Sequence, residues 1–316
     1  MNSPSASPAA KTEAFSLPLF FVTIGVTLAG LLTLLWWLAP GTWEAQFLSE
    51  PWRFVPAFAL VSLGLCFFEF FFHRYVLHLP AIPGLRRLYR QHTLHHALTR
   101  IGRRVGRDGR SVMCVENKYP IVEEEQGEGS FFPWYSLATF TAILAPLLAL
   151  LQWGLPAFPW WFAGLAALTN SLILYEVLHA INHWPIEKWL PLIEHPTWGW
   201  FWRPAYSFHL RHHAVIECNE SISGFFGLPV ADWVFGTCLM PRTIYTDGEE
   251  WRPENFTAPR PVRVIRWLDR LAVAAVRTRR ADAAQPAAAT PERPVARGGR
   301  VRQRRAAAIS AGEASS

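Results

Sequence analysis

Ten of the eleven histidines in this 316-residue chain fall into four clusters. They are His73 and His78 in HRYVLH, then His92, His95 and His96 in HTLHH, His179 and His183 in HAINH, and His209, His212 and His213 in HLRHH. Imidazole suits iron, zinc, copper and nickel, and no CxxC or carboxylate-rich motif is present to select calcium or magnesium. Ten imidazoles exceed the coordination of one ion, so two ions are implied, with up to about five ligands each.

The spacing sets what must hold these side chains. On an α-helix each residue turns about 100°, so the three members of HxxHH project from one face and HxxxH places its pair about 40° apart. H-x4-H separates its pair by about 140° if helical, which predicts that His73 and His78 straddle a helix end or approach the metals from two sides.

The clusters lie at or just beyond long apolar runs. Leu17–Leu38 carries no charge and is long enough to cross a bilayer, and Phe54–Phe72, 131–155 and 158–180 are three further candidates. Glu69 and Glu176 interrupt the second and fourth near their ends. The turn at 154–159 is short, so the third and fourth spans should form an antiparallel hairpin. Segment 74–130 is rich in arginine, including Arg86, Arg87, Arg90, Arg100, Arg103, Arg104, Arg107 and Arg110, whereas 41–53 holds only Arg53. The positive-inside rule then puts the histidine side and both termini in the cytoplasm, and all four clusters land on that side. The expected location is a multi-pass protein of a bacterial inner membrane rather than of the endoplasmic reticulum.

The formal charge of +6 comes largely from the loop and tail and suits an anionic membrane surface rather than nucleic acid. Cys66, Cys114, Cys218 and Cys238 show no paired spacing and read as free thiols. The fold expected is all-α: residues 1–16 disordered, 17–183 a four-helix membrane stem with the first three clusters and a 97–130 loop, 184–280 a cytosolic and interfacial cap with the last cluster, and 281–316 a disordered tail. Segment 184–208 is tryptophan-rich and is expected at the membrane interface. Residues 263–277 place Val264, Ile265, Leu268, Leu271, Ala272 and Ala275 on one stripe, the pattern of an amphipathic helix lying on the membrane or on the cap.

EFFFHRYVLH, HTLHH, YEVLHAINH and FHLRHH, followed by Asn219 and by ADWVFGT, together resemble the membrane-bound fatty acid hydroxylase and sterol desaturase superfamily over residues 69–237. The H-x4-H of the first cluster is nearest to the fatty-acid 2-hydroxylase branch. The resemblance implies a four-helix stem beneath a cytosolic histidine-lined cap holding two metals. It also implies that dioxygen and external electrons oxidise a C–H bond of a lipid-like substrate. Two iron ions are then the expected cofactor, with zinc able to occupy the same imidazoles. No haem or flavin domain is evident, so the electron donor is expected to be a ferredoxin- or cytochrome-type partner with its reductase.

Glu69 and Glu176, one helical turn before His73 and His179, are expected to orient imidazoles from behind, and Asn219 to hydrogen-bond a metal-bound water or to stabilise a turn. His195 and Asp232 read as structural. Desaturation would begin with the same hydrogen abstraction. A zinc-dependent lipid hydrolase or lyase would need a general base such as Glu69 or Glu176. A transporter would place its ligands near the bilayer midplane instead. The arginines of 100–110 suggest an anionic or zwitterionic headgroup.

Overall fold

The computed structural model describes residues 16–106, 108–117, 131–240 and 257–284. The expectations of disorder before Leu17 and of a disordered tail, and the end of the 97–130 loop, fall mainly outside these residues.

The described part of the chain is mostly helical. In order it forms α1 (Leu17–Leu38), α2 (Pro40–Leu48), α3 (Phe54–Phe72), α4 (Arg86–Leu98), β1 (Thr99–Val105), β2 (Ser111–Asn117), α5 (Ser136–Gly154), α6 (Trp160–Asn182), α7 (Ile186–Ile193), α8 (Gly199–Ala214), α9 (Val230–Phe235) and α10 (Arg263–Ala284). Among the described residues, four helical stretches are long and apolar enough to cross a membrane: Leu17–Leu38, Pro51–Leu77, Ser136–Gly154 and Trp160–Asn182. They pack on each other through Ile24, Ala57, Val61, Leu65, Leu137, Leu148, Ala163, Leu168 and Leu172. They also present apolar side chains outward, with Val26 68% and Leu150 59% exposed. Such a surface is costly in water and favourable in hydrocarbon, which marks a membrane protein. Gly164 brings α5 and α6 close, since a Cβ there would lie 2.5 Å from a methyl of Leu148.

One end of the bundle is closed by a polar knot. The short turn after α5 makes α5 and α6 antiparallel, as expected, and α2 folds across it. Buried Gln46 donates to Gln152 Oε1 at 3.0 Å and accepts from the amides of Trp161 and Phe162 at 3.1 and 3.3 Å. That satisfies donors at the start of α6 that the helix itself leaves unpaired. The opposite end carries the histidines.

One feature departs from the all-α expectation. The segment after HTLHH is a β-hairpin, β1 pairing antiparallel with β2 from Thr99 opposite Asn117 to Val105 opposite Ser111. Its Val112, Met113, Cys114 and Val115 pack against Ile186, Trp189, Ile193, Tyr206 and Leu210 of α7 and α8. Of the arginines read as headgroup binders, Arg100 pairs with Glu116 at 2.9 Å, and Arg104 with Glu116 and Glu187, all at the surface. Within the tryptophan-rich segment, Trp189 is core at 2% exposure while Trp198 and Trp200 are exposed. All four cysteines are free, as expected.

Candidate metal centre

The two histidines of HRYVLH sit where α3 changes its winding. His73–Leu77 is a π-helical turn, and the amide of His78 donates to the carbonyl of His73 at 3.0 Å. An i→i+5 turn carries a five-residue step round to nearly one revolution, so His73 and His78 stack with ring centroids 4.8 Å apart. The pair straddles the end of α3, one of the two arrangements expected, and does not approach from two sides, because the π-turn replaces the 3.6-residue turn that would separate the rings by about 140°. Single π-turns inside α-helices recur at functional sites.

The remaining clusters arrive from three helix ends: α4 supplies His92, His95 and His96, α6 supplies His179 with His183 just beyond it, and α8 supplies His209, His212 and His213. All ten imidazoles converge through the same atom. Nε2 of His92 lies 3.0, 3.2 and 3.1 Å from Nε2 of His73, His78 and His96. His78 Nε2 is 3.1 Å from His212 Nε2. On the other side His179 Nε2 is 3.2 Å from His95 Nε2, and His209 Nε2 is 2.9 and 3.0 Å from those of His183 and His213.

Two quartets have ligand atoms within 4.8 Å of one another: His73, His78, His92 and His212, and His95, His183, His209 and His213. Each could hold a metal ion. His96 joins the first set through His92, His179 joins the second through His95, and the His96 and His213 rings meet across the divide at 4.3 Å.

Each HxxHH triplet is therefore divided, and the two divisions mirror each other. In α4 the i and i+4 members, His92 and His96, face the first set while His95 faces the second. In α8 His209 and His213 face the second while His212 crosses to the first. Helix geometry accounts for this: i and i+4 lie about 40° apart, whereas i+3 falls about 60° to the other side of i.

Backbone carbonyls fix two of the rings. His73 Nδ1–H donates to the Glu220 carbonyl at 2.6 Å, and His212 Nδ1–H donates to the Cys218 carbonyl at 2.8 Å. A carbonyl can only accept, so both rings carry their proton on Nδ1 and keep a lone pair on Nε2 for a cation. The residue between those carbonyls is Asn219. Its backbone is left-handed at φ 55°, a conformation Asn tolerates better than most residues. Its side-chain amide donates to the carbonyls of Phe208 and Leu239 at 2.8 and 2.9 Å and accepts from the Leu239 amide at 2.8 Å. Asn219 thus acts on the centre through the loop it holds and not through a hydrogen bond toward the metal position. Asp232 supports the same loop, accepting from the amides of Glu220 and Ser221 at 2.9 Å each and from the Thr237 hydroxyl at 2.7 Å.

The carboxylates singled out from sequence point elsewhere. Glu69 accepts from the Ser223 amide and hydroxyl and from the Gly224 amide, and Glu176 Oε1 accepts from the Phe132 amide at 2.7 Å. Their hydrogen bonds fasten the loops above α3 and α6, not the imidazoles. The carboxylate that does approach an imidazole is Glu220, with Oε2 3.9 Å from His73 Nδ1 and Oε1 paired with Arg74 at 3.0 Å. Arg74 also makes a two-point pair with Asp269 at 2.8 and 2.9 Å. No spacing points to Glu220, since 147 residues separate it from His73. His195 is structural, as expected: its Nδ1 accepts from the amides of Thr197 and Trp198 just before α8.

Beyond the spans, burial followed by repulsion from neighbouring imidazoles holds His92, His95, His96, His183, His209 and His213 well below the usual histidine range. Burial brings His212 down to about 4. The rings are neutral at physiological pH and available as ligands. Beneath the first set lies a narrow, mostly apolar cavity of about 50 Å³ between α3, α5 and α6, with Glu69, Ser171 and Ser223 as its polar lining besides His73. Leu65, Phe68, Phe72, Phe140, Leu168, Leu172 and Tyr175 line it, and it reaches His73 and Leu77.

Comparison with protein-family models, curated proteins and solved structures gave no match for this chain, so the site is read from its own geometry.

Proposed function

We propose that this membrane protein is a dioxygen-dependent oxidoreductase of the fatty acid hydroxylase type, holding two iron ions and hydroxylating an unactivated C–H bond of a lipid. The observation that carries the reading is the convergence of ten Nε2 atoms into two adjoining sets, the first of them reached at His73 by an apolar cavity. The donor set supports ions with more than four ligands. Bonds of about 2.1 Å place neighbouring nitrogens about 3.0 Å apart across a right angle but about 3.4 Å apart in a tetrahedral zinc site. The closest pairs here lie 2.9 to 3.2 Å apart, and all four nitrogens of each quartet lie within 4.8 Å of one another.

Bound iron would supply the activation of dioxygen, with electrons from an external ferredoxin- or cytochrome-type donor. The chain's own residues do the rest. His73 and His212, with Nδ1 committed to carbonyls, present fixed Nε2 donors, and neutral imidazoles leave the ions' charge uncompensated. The phenylalanines and leucines of the cavity exclude water and admit an acyl chain from the bilayer up to His73. Desaturation of the same chain would use the same positioning. The hydrolase alternative is weaker, because Glu69 accepts hydrogen bonds on both carboxylate oxygens and Glu176 is turned to the Phe132 amide.

The test is iron loading of purified protein under argon, followed by a reductant, dioxygen and a membrane lipid extract. Reductant-dependent oxygen uptake and a lipid heavier by one oxygen atom, labelled when labelled dioxygen is used, are expected. Oxygen-independent lipid turnover with zinc alone would overturn the proposal.

A further inference from the structure

Helix α10 divides into three lines, where the sequence suggested a single apolar stripe. One line faces the protein: Ile265 is fully buried, Leu268 packs with Cys66 and Phe70 of α3, and Asp269 accepts from Arg74 and from the Tyr75 hydroxyl. About 120° around the helix, Val264, Trp267 and Leu271 form a second line, about half exposed at 52, 51 and 49%. Between these, on the far side, Arg263, Arg266 and Arg270 form an exposed basic line. Trp233 and Val234, 52 and 53% exposed on α9, adjoin the start of α10, where the Val262 amide donates to the Phe235 carbonyl.

The level of this surface follows from what it packs on. Ile265 and Leu268 sit against the last two turns of α3, where the apolar run gives way to His73 and Arg74. The first half of α10 therefore lies where a membrane-spanning segment leaves the hydrocarbon. There, aromatic and aliphatic side chains favour the acyl boundary, and guanidinium groups favour phosphate.

We infer that the Val264–Trp267–Leu271 line and its arginines form a seat for anionic lipid. Through Asp269 and Arg74, next to His73, this seat fixes the height of the histidine centre above the acyl chains. The inference rests on the membrane reading of the four apolar helices and is independent of the reaction. An amphipathic helix with apolar and basic lines side by side matches a lipid surface in both components, whereas a second copy of the chain would need an acidic counterpart.

The test places a fluorophore at Trp267→Cys in the full-length protein, in lipid nanodiscs of phosphatidylcholine containing nitroxide-headgroup phosphatidylcholine or phosphatidylglycerol. Labelled wild-type protein sets the background of the native thiols. Strong quenching by nitroxide lipid and little by aqueous iodide is expected, with phosphatidylglycerol at least about threefold more effective. That preference should vanish in Arg263→Gln, Arg266→Gln, Arg270→Gln, while lipid quenching itself persists. Dominant iodide quenching, self-quenching between labelled copies, or protection from both quenchers would each overturn the seat. None of these readouts depends on activity, so failure here is distinguishable from failure of the oxidoreductase reading.

Discussion

His78 donates its amide to the carbonyl of His73, five residues back, and that one π-turn hydrogen bond stacks the two imidazoles on a single face. Shifting the second imidazole one residue, in Leu77→His, His78→Leu, would leave one ring of the first set misdirected. The variant should insert normally and lose at least half of its bound metal, as measured by elemental analysis after anaerobic loading. Unchanged metal content would show that the π-turn is incidental.

The mirrored division of the two triplets predicts separable losses. His92→Ala should remove mainly the ion of the first set and His213→Ala mainly that of the second, so each retains about half the metal of the parent. Dioxygen-dependent activity should fall at least about a hundredfold in both, since the proposed chemistry requires the pair. Loss of all metal in each variant would instead indicate one indivisible site.

Asn219 offers a test of positioning. Asn219→Ala loses three buried hydrogen bonds and favours a negative φ, which should destabilise the protein by about 2–4 kcal/mol. Asn219→Gly relieves the backbone part alone and should lie between Ala and the parent in both thermal stability and metal retention. A glycine variant no better than alanine would remove the left-handed backbone from the explanation.

Acid should release the metal. A free imidazole titrates near about 6.5, whereas the buried rings titrate lower. Between those values the unfolded chain binds more protons at these rings than the folded one, so the imidazoles' contribution to folding stability falls as pH drops below about 6.5 and is flat above it. The loss continues down to about 4, where folded His212 takes its proton. Bound metal measured against pH should hold near neutrality and decline through the acidic range. Full occupancy at pH about 4 would contradict neutral, buried ligands.

The orientation read from arginine distribution is open to direct measurement. Reporter fusions after Met113 and after Thr237 should register cytoplasm, and a fusion near Trp43 the opposite compartment. A cytoplasmic signal near Trp43 would refute the four-span arrangement.

The four apolar runs, their antiparallel third and fourth members and the ten histidines were legible in the sequence, because hydropathy and local spacing survive whatever the rest of the chain does. The β-hairpin was not: Val112 to Val115 is a continuous apolar run without alternation, and the glycines and arginines of the facing strand read as a loop. Residue spacing placed each HxxHH on one helical face, but how that face is shared between two sets depends on which helices stand on either side of it. Likewise, HRYVLH suggested divergence until the π-turn changed the number of residues per revolution. The support of His73 and His212 by the Glu220 and Cys218 carbonyls leaves no trace in residue type, since any residue can offer a carbonyl. Sequence specified the candidate ligands. Only the tertiary structure decided their division, because backbone hydrogen bonds and the relative placement of α3, α4, α6 and α8 are not local properties.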